Sequence, residues 1–190
     1  PDVLETEMHD VPSRQRSMRT VLDSTWARLS PVEQRAFARM SLFRGGFSRE
    51  AAVAVSGANV RTLVSLHGKS LVRNDSGRYS VHELLRQFGE AKLAASDDAQ
   101  PAQAGFAAHY LSWLKAREPA LQAKDMPVVG EVEADFENVR VAWGLAVEAG
   151  LTQLIDGGLD ALMRFCHLRG RVRDGCALLT RAIDGMPDGP

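Results

Sequence analysis

The chain has 190 residues, 45% apolar and 25% charged, with a formal net charge of −1. Such a composition belongs to a core-forming globular chain and excludes disordered and collagen-like classes. No run approaches the ~18 apolar residues of a membrane span, and PDVLETEMHD has neither the basic start nor the apolar segment of a secretory signal, so a cytoplasmic protein without membrane contact is expected.

The near-zero net charge hides an asymmetry. Residues 1–95 carry 14 Lys/Arg against 10 Asp/Glu, and residues 96–190 carry 9 against 14. The shift falls at ASDDAQPAQAG, polar and proline-containing, which predicts a linker at 96–101 between a module at 1–95, with a connecting segment at 1–16, and a module at 102–190. Because the chain opens on Pro1 and closes on MPDGP, in what reads as an inter-helix loop, it is expected to be a piece of a longer protein with its second module truncated.

In the first module Met18, Leu22, Trp26 and Leu29 recur at helical spacing. Ser30-Pro31-Val32-Glu33 announces a second helix: Ser30 can cap, Pro31 suits the first helical position, and Glu33 completes a capping box. The tract Ser41-Leu42-Phe43-Arg44-Gly45-Gly46-Phe47 breaks the pattern. Ser48 then caps a short helix through Val55, and Asn59 caps another carrying Val60, Leu63, Val64 and Leu66. Leu71-Val72-Arg73 and Arg78-Tyr79-Ser80-Val81 flank the turn Asn74-Asp75-Ser76-Gly77 as a hairpin. From His82 the period is helical again, with Leu84, Leu85, Phe88 and Leu93 on one side. Helices in this order around one hairpin predict a winged-helix module.

The second module reads as helical throughout. Phe106, Tyr110 and Leu114 form one stripe, Val132, Phe136, Val139, Trp143 and Ala146 a second, Leu151, Leu154, Ile155, Leu162 and Phe165 a third, and Val172, Cys176, Leu179 and Ile183 a fourth. Short turns at Glu148-Ala149-Gly150 and Leu168-Arg169-Gly170 imply antiparallel stacking, with Phe136, Trp143 and Phe165 in the core. The predicted fold is therefore mostly α: a winged-helix module followed by an antiparallel, tetratricopeptide-like helical array, although that repeat's consensus is not legible.

Signals for catalysis and metal binding are weak. Cys166 and Cys176 lack a C-x-x-C spacing and read as small packing residues. His82-Glu83-Leu84-Leu85-Arg86 lacks the second histidine of a zinc-protease helix, and His9, His67, His109 and His167 have no ligand spacing. There is no G-x-S-x-G turn. Asp97-Asp98 falls in the linker, and Glu131, Glu133, Asp135 and Glu137 decorate a helix start, where solvated acids are expected. Neither a metal nor catalysis by this piece is expected. A winged helix also raises DNA binding, with the helix after Asn59 in the major groove and Arg61, Lys69, Arg73 and Arg78 as contacts. A pI near 6.6 and the lack of a basic run make this the alternative rather than the main reading.

Several segments together resemble a known family. They are Asp10 to Arg19 (DVPSRQRSMR), Trp26 to Gln34 (WARLSPVEQ), Leu42 to Phe47 (LFRGGF), Lys69 to Val72 (KSLV), Tyr79 to Phe88 (YSVHELLRQF), Glu133 to Arg140 (EADFENVR), and Arg169-Gly170 followed by Asp174-Gly175. In this order they resemble the region after the nucleotide-binding domain of STAND-type signal-transduction NTPases, especially bacterial regulators that join an NB-ARC-like ATPase to tetratricopeptide repeats. The resemblance covers nearly the whole chain, while no G-x-x-x-x-G-K-[ST] loop occurs in it. It implies a non-catalytic regulatory fragment of an ATP-binding parent, with ADP or ATP held only together with the nucleotide-binding domain. Val81-His82-Glu83 lies at the family's Met-His-Asp position, with Val for Met and Glu for Asp, which implies that His82 senses the ADP phosphate.

The partners implied are the upstream nucleotide-binding domain, an inducer or partner protein on the repeats, and further copies if activation is oligomeric. The downstream output in such relatives is often transcriptional. The arginine surplus of residues 11–95 would then face the nucleotide or an acidic surface of the upstream domain. Besides the DNA-binding winged-helix transcription factor, a nucleotide-independent interaction scaffold is a second alternative.

Overall fold

The computed structural model describes the backbone of residues 11–185 and side chains from Arg19 onward. The expected connecting segment 1–16 falls mostly outside the described residues, as does the side chain of Met18. In chain order the elements are α1 (Val11–Ala27), α2 (Pro31–Met40), β1 (Phe47–Ser48), α3 (Arg49–Ser56), α4 (Val60–Gly68), β2 (Arg73–Asp75), β3 (Arg78–Ser80) and α5 (Glu83–Ala94). There follow α6 (Ala99–Lys115), α7 (Glu118–Gln122), α8 (Met126–Glu148), α9 (Thr152–Leu168) and α10 (Val172–Gly185).

The caps of the first module form as the sequence dictates. Ser30 Oγ accepts from the Glu33 amide at 3.3 Å while Glu33 accepts from the Ser30 amide at 2.8 Å. Ser48 and Asn59 accept from the amides of Ala51 and Thr62 at 3.1 and 2.9 Å. In the hairpin, Asn74 accepts from the Gly77 amide at 3.1 Å, and the φ of +89° at Gly77 is one that a side chain would resist. The sheet has a third strand, which the sequence reading did not anticipate: β1 pairs antiparallel with β3, Phe47 opposite Tyr79, giving the order β1-β3-β2. Two residues are too few to show alternation. Helix, strand, helix, helix and hairpin, with the first strand closing on the hairpin, make a winged helix around Phe37, Met40, Phe47, Leu63 and Leu66.

The second module packs α6, α8, α9 and α10 around Phe106, Phe136, Trp143 and Phe165, all buried. Its tight turns hold Gly150 and Gly170 at φ of +64° and +67°. Trp143 Nε1 donates to the Leu178 carbonyl at 2.9 Å and ties α10 to α8. No helix among the described residues is long and apolar enough to cross a membrane.

Several side chains face other than expected. On α10 three of the four stripe residues look outward, Val172 and Ile183 being 56% and 74% exposed and Cys176 exposed too, with Leu179 half-buried, while Gly175, Leu178 and Ala182 are buried. Close approach selects the small residues: a Cβ on Gly175 would stand 3.3 Å from that of Cys166. Cys166 is thus a packing residue as expected, its thiol pushed up to about 11 by burial, whereas Cys176 is exposed and does not pack in the core. On α4 Val60 and Val64 are exposed, as is Leu84 on α5, because the core takes Leu63, Leu66 and Leu93 instead. Within the segment 96–101, α6 begins at Ala99 and Asp98 is clasped to α2.

Candidate functional site

The two modules meet along an apolar strip and a buried polar knot. Phe43 stacks on Phe47 at 3.9 Å between ring centres and meets Phe106 and Tyr110 of α6 edge-on at 5.3 and 6.1 Å. Beside it, the Asp135 carboxylate of α8 accepts from Arg78 of β3 at 3.1 Å, the Tyr110 hydroxyl at 3.1 Å and Asn138 at 3.0 Å. Arg78 also donates to the carbonyls of Gly46 and Ala134 at 2.8 and 3.1 Å. Asn138 accepts from the Arg44 amide at 2.7 Å and donates to the Gly46 carbonyl at 3.1 Å.

No side chain could replace the hydrogen of Gly46 without pressing on Arg78, whose Nε would lie 3.2 Å from the new Cβ. Burial, reinforced by the Asp135 charge, raises the Tyr110 phenol far above its ordinary range, so it stays a donor. Burial is also the main cause lowering the His109 imidazole. A second clasp closes the far side: Arg39 of α2 grips Asp98 with two bonds of 2.7 and 2.6 Å, which holds Asp98 below the usual carboxylate range.

The expectation of a solvated acidic face on α8 is corrected here. Asp135 is only 7% exposed, and half-buried Glu133 is paired with Arg169 and Arg171, which lower its carboxyl. Glu131 and Glu137 are exposed and pair with Arg117 and Arg140.

His82 is the exposed N-cap of α5, its Nδ1 accepting from the Leu84 amide at 3.3 Å. That tautomer leaves Nε2 as a donor. As a single contact to a phosphate oxygen it fits, at the positive end of a 12-residue helix. Its neighbour Glu83 is tied to Arg86 and Gln87, which depress its carboxyl to about 2. Among the described residues no group of three His, Cys, Asp or Glu side chains is placed to share a metal ion.

The four residues singled out for DNA are divided. Arg61 on α4 and Arg73 on β2 are exposed and make no hydrogen bond or ion pair among the described residues. Lys69 is paired with Glu33 at 2.5 Å, and Arg78 is drawn into the Asp135 knot. The knot is the feature that sequence reasoning missed. Its signal was Asp135 and Asn138 falling one turn apart beside the buried Phe136 and Val139, which a count of acids could not reveal.

The arrangement defines a winged helix joined face to face with a helical array. No family model matches the chain, and no solved structure matches it. Among curated proteins it is similar to "Putative HTH-type transcriptional regulator Rv0890c" of Mycobacterium tuberculosis (strain ATCC 25618 / H37Rv), with 28% identity over 148 residues. "Putative HTH-type transcriptional regulator Mb0914c" of Mycobacterium bovis (strain ATCC BAA-935 / AF2122/97) is similar to the same degree. In each case the match covers 72% of this chain and 17% of the relative. The distant similarity is thus to proteins named as helix-turn-helix-type transcriptional regulators, of which this chain spans a small part.

Proposed function

We propose that the chain is the coupling segment of a transcriptional regulator. The winged helix docks on a nucleotide-binding domain of the same regulator, His82 contacts the ADP phosphate there, and the helical array receives an inducer or partner protein. The chain itself is non-catalytic and the nucleotide belongs to the parent ATPase. One observation carries this reading: Asp135, braced by the Tyr110 hydroxyl, and Asn138 of the array are bonded to Arg78, Arg44 and Gly46 of the winged helix. A ligand that favours one orientation of the array therefore favours the same orientation of the winged helix, which is what coupling by population shift requires. The regulators' names support the transcriptional output. In the full-length regulator, His82→Ala is expected to speed ADP release and raise basal transcription; unchanged ADP off-rate and unchanged basal output refute the sensor role.

A second reading, direct DNA contact by the winged helix, is favoured by those same names and by the unpaired, exposed Arg61 and Arg73. It is tested in the same binding series as the surface described next.

A further inference from the structure

The outer surface of α2 and α4 exposes apolar side chains that the fold does not use. Val60 and Val64, one turn apart on α4, are 55% and 64% exposed, and Val32 on α2 is 61% exposed. The two helices are held together, Glu33 of α2 accepting from Ser65 of α4 and from Lys69, the residue that follows α4, at 2.5 Å each. A cleft of about 320 Å³ opens on α2 against the end of α3, lined by Pro31, Val32, Arg35, Arg39, Ser56 and Gly57. Gly57 leads through Ala58 and Asn59 directly into α4.

The segment that builds this surface is rich in cations. Residues 31–69 hold six Lys/Arg against two Glu. Both glutamates are engaged, Glu33 with Lys69 and Glu50 with Arg49. Arg39 and Arg44 are also engaged, with Asp98 and Glu90. Arg35 and Arg61 are left exposed, with no hydrogen bond or ion pair among the described residues, although the Asp98 carboxylate held by Arg39 also feels the charge of Arg35. The surface therefore asks for apolar side chains over the valines and carboxylates at the two arginines.

DNA meets this poorly. Phosphates would be laid against Val60 and Val64, and of the long polar side chains on that face Arg61 is free while His67 already bonds the Val72 carbonyl at 3.1 Å. A second copy meets it poorly too, because a two-fold contact brings like charges together.

We propose that the outer face of α2 and α4 docks an acidic amphipathic helix of a partner protein. This goes beyond the coupling role by naming a surface, and it depends on neither His82 nor a nucleotide. Its failure would therefore leave the His82 result standing, and the reverse holds as well.

The test is an NMR titration of the isotope-labelled 190-residue chain with three probes. These are a synthetic helical peptide with a leucine seam and glutamate flanks, the same peptide with lysine for glutamate, and a short DNA duplex. The acidic peptide is expected to shift the amides of Val32, Arg35, Val60 and Val64. Arg61→Glu and Val64→Asp should each weaken it by about ten-fold or more, while Arg164→Glu on α9 should leave it unchanged. Both diagnostic positions are exposed, and thermal melts confirm that the variants fold. Any of four results overturns the proposal: equal binding of the two peptides, shifts confined to other surfaces, duplex binding through Arg61 tighter than that of the acidic peptide, or self-association through Val64 in place of peptide binding.

Discussion

Replacing Asp135 by alanine isolates the joint between the two modules. The buried Tyr110 hydroxyl would lose its acceptor, which costs about 1–3 kcal/mol. Arg78 is 38% exposed at its side chain and keeps the carbonyls of Gly46 and Ala134, so loss of its ion pair adds only about 1 kcal/mol. Asn138 retains its bonds to Arg44 and Gly46. The sum, about 3 kcal/mol, lies at the lower edge of the range for a fully buried pair broken on one side. Urea unfolding followed by circular dichroism measures it. Tyr110→Phe removes the orphaned hydroxyl in advance, so in that background Asp135→Ala should cost about 2 kcal/mol less. Hydrogen exchange locates the damage, which should fall on residues 44–48 and 78–80 as well as on α6 and α8. A destabilisation below about 0.5 kcal/mol, or lost protection confined to the array, refutes the account of the joint.

Two further outcomes bear on other parts of the fold. Glu33 is held at about 2, below its ordinary 4.5, chiefly by Lys69 and then by Ser65 and Ser30. The stability it contributes is present above pH 4.5 and lost as pH falls toward 2, so Glu33→Gln should flatten the acid limb of a melting-temperature profile; an unchanged limb refutes the pairing. On α10, Ile183→Lys should change stability by less than about 0.5 kcal/mol while Leu178→Lys should cost more than about 3 kcal/mol, and the reverse order in thermal denaturation would restore the face read from spacing.

That pair of residues shows where a sequence stops being informative. The caps at Ser30, Ser48 and Asn59 were legible because a cap is a local bargain between one side chain and an amide three residues on. The stripes of α6 and α8 were legible because large apolar residues there face the core. On α10 the contact is made by Gly175 and Ala182, whose value lies in their smallness, so a count of large apolar residues selects the wrong side. The same holds for Val60 and Val64, apolar residues placed outside. Asp135 was hidden for a different reason: its partners lie 57 and 25 residues away, and no local rule links a wing arginine to an acid on a distant helix. His82 was legible in position, as the cap of α5, while its role depends on what approaches Nε2.

Gly46 and Arg78, locked against α8, make the array a lever arm. The 13 steps of α8 from Asp135 to Glu148 span roughly 20 Å at 1.5 Å per residue, so a 10° tilt of the winged helix about this fulcrum would sweep the far end by roughly 3 Å. A displacement of that size exceeds the roughly 1–2 Å helix shifts that repack subunit interfaces, and is enough to change how whatever sits at the tip packs on its neighbour. A joint with play would dissipate the same rotation before it travelled.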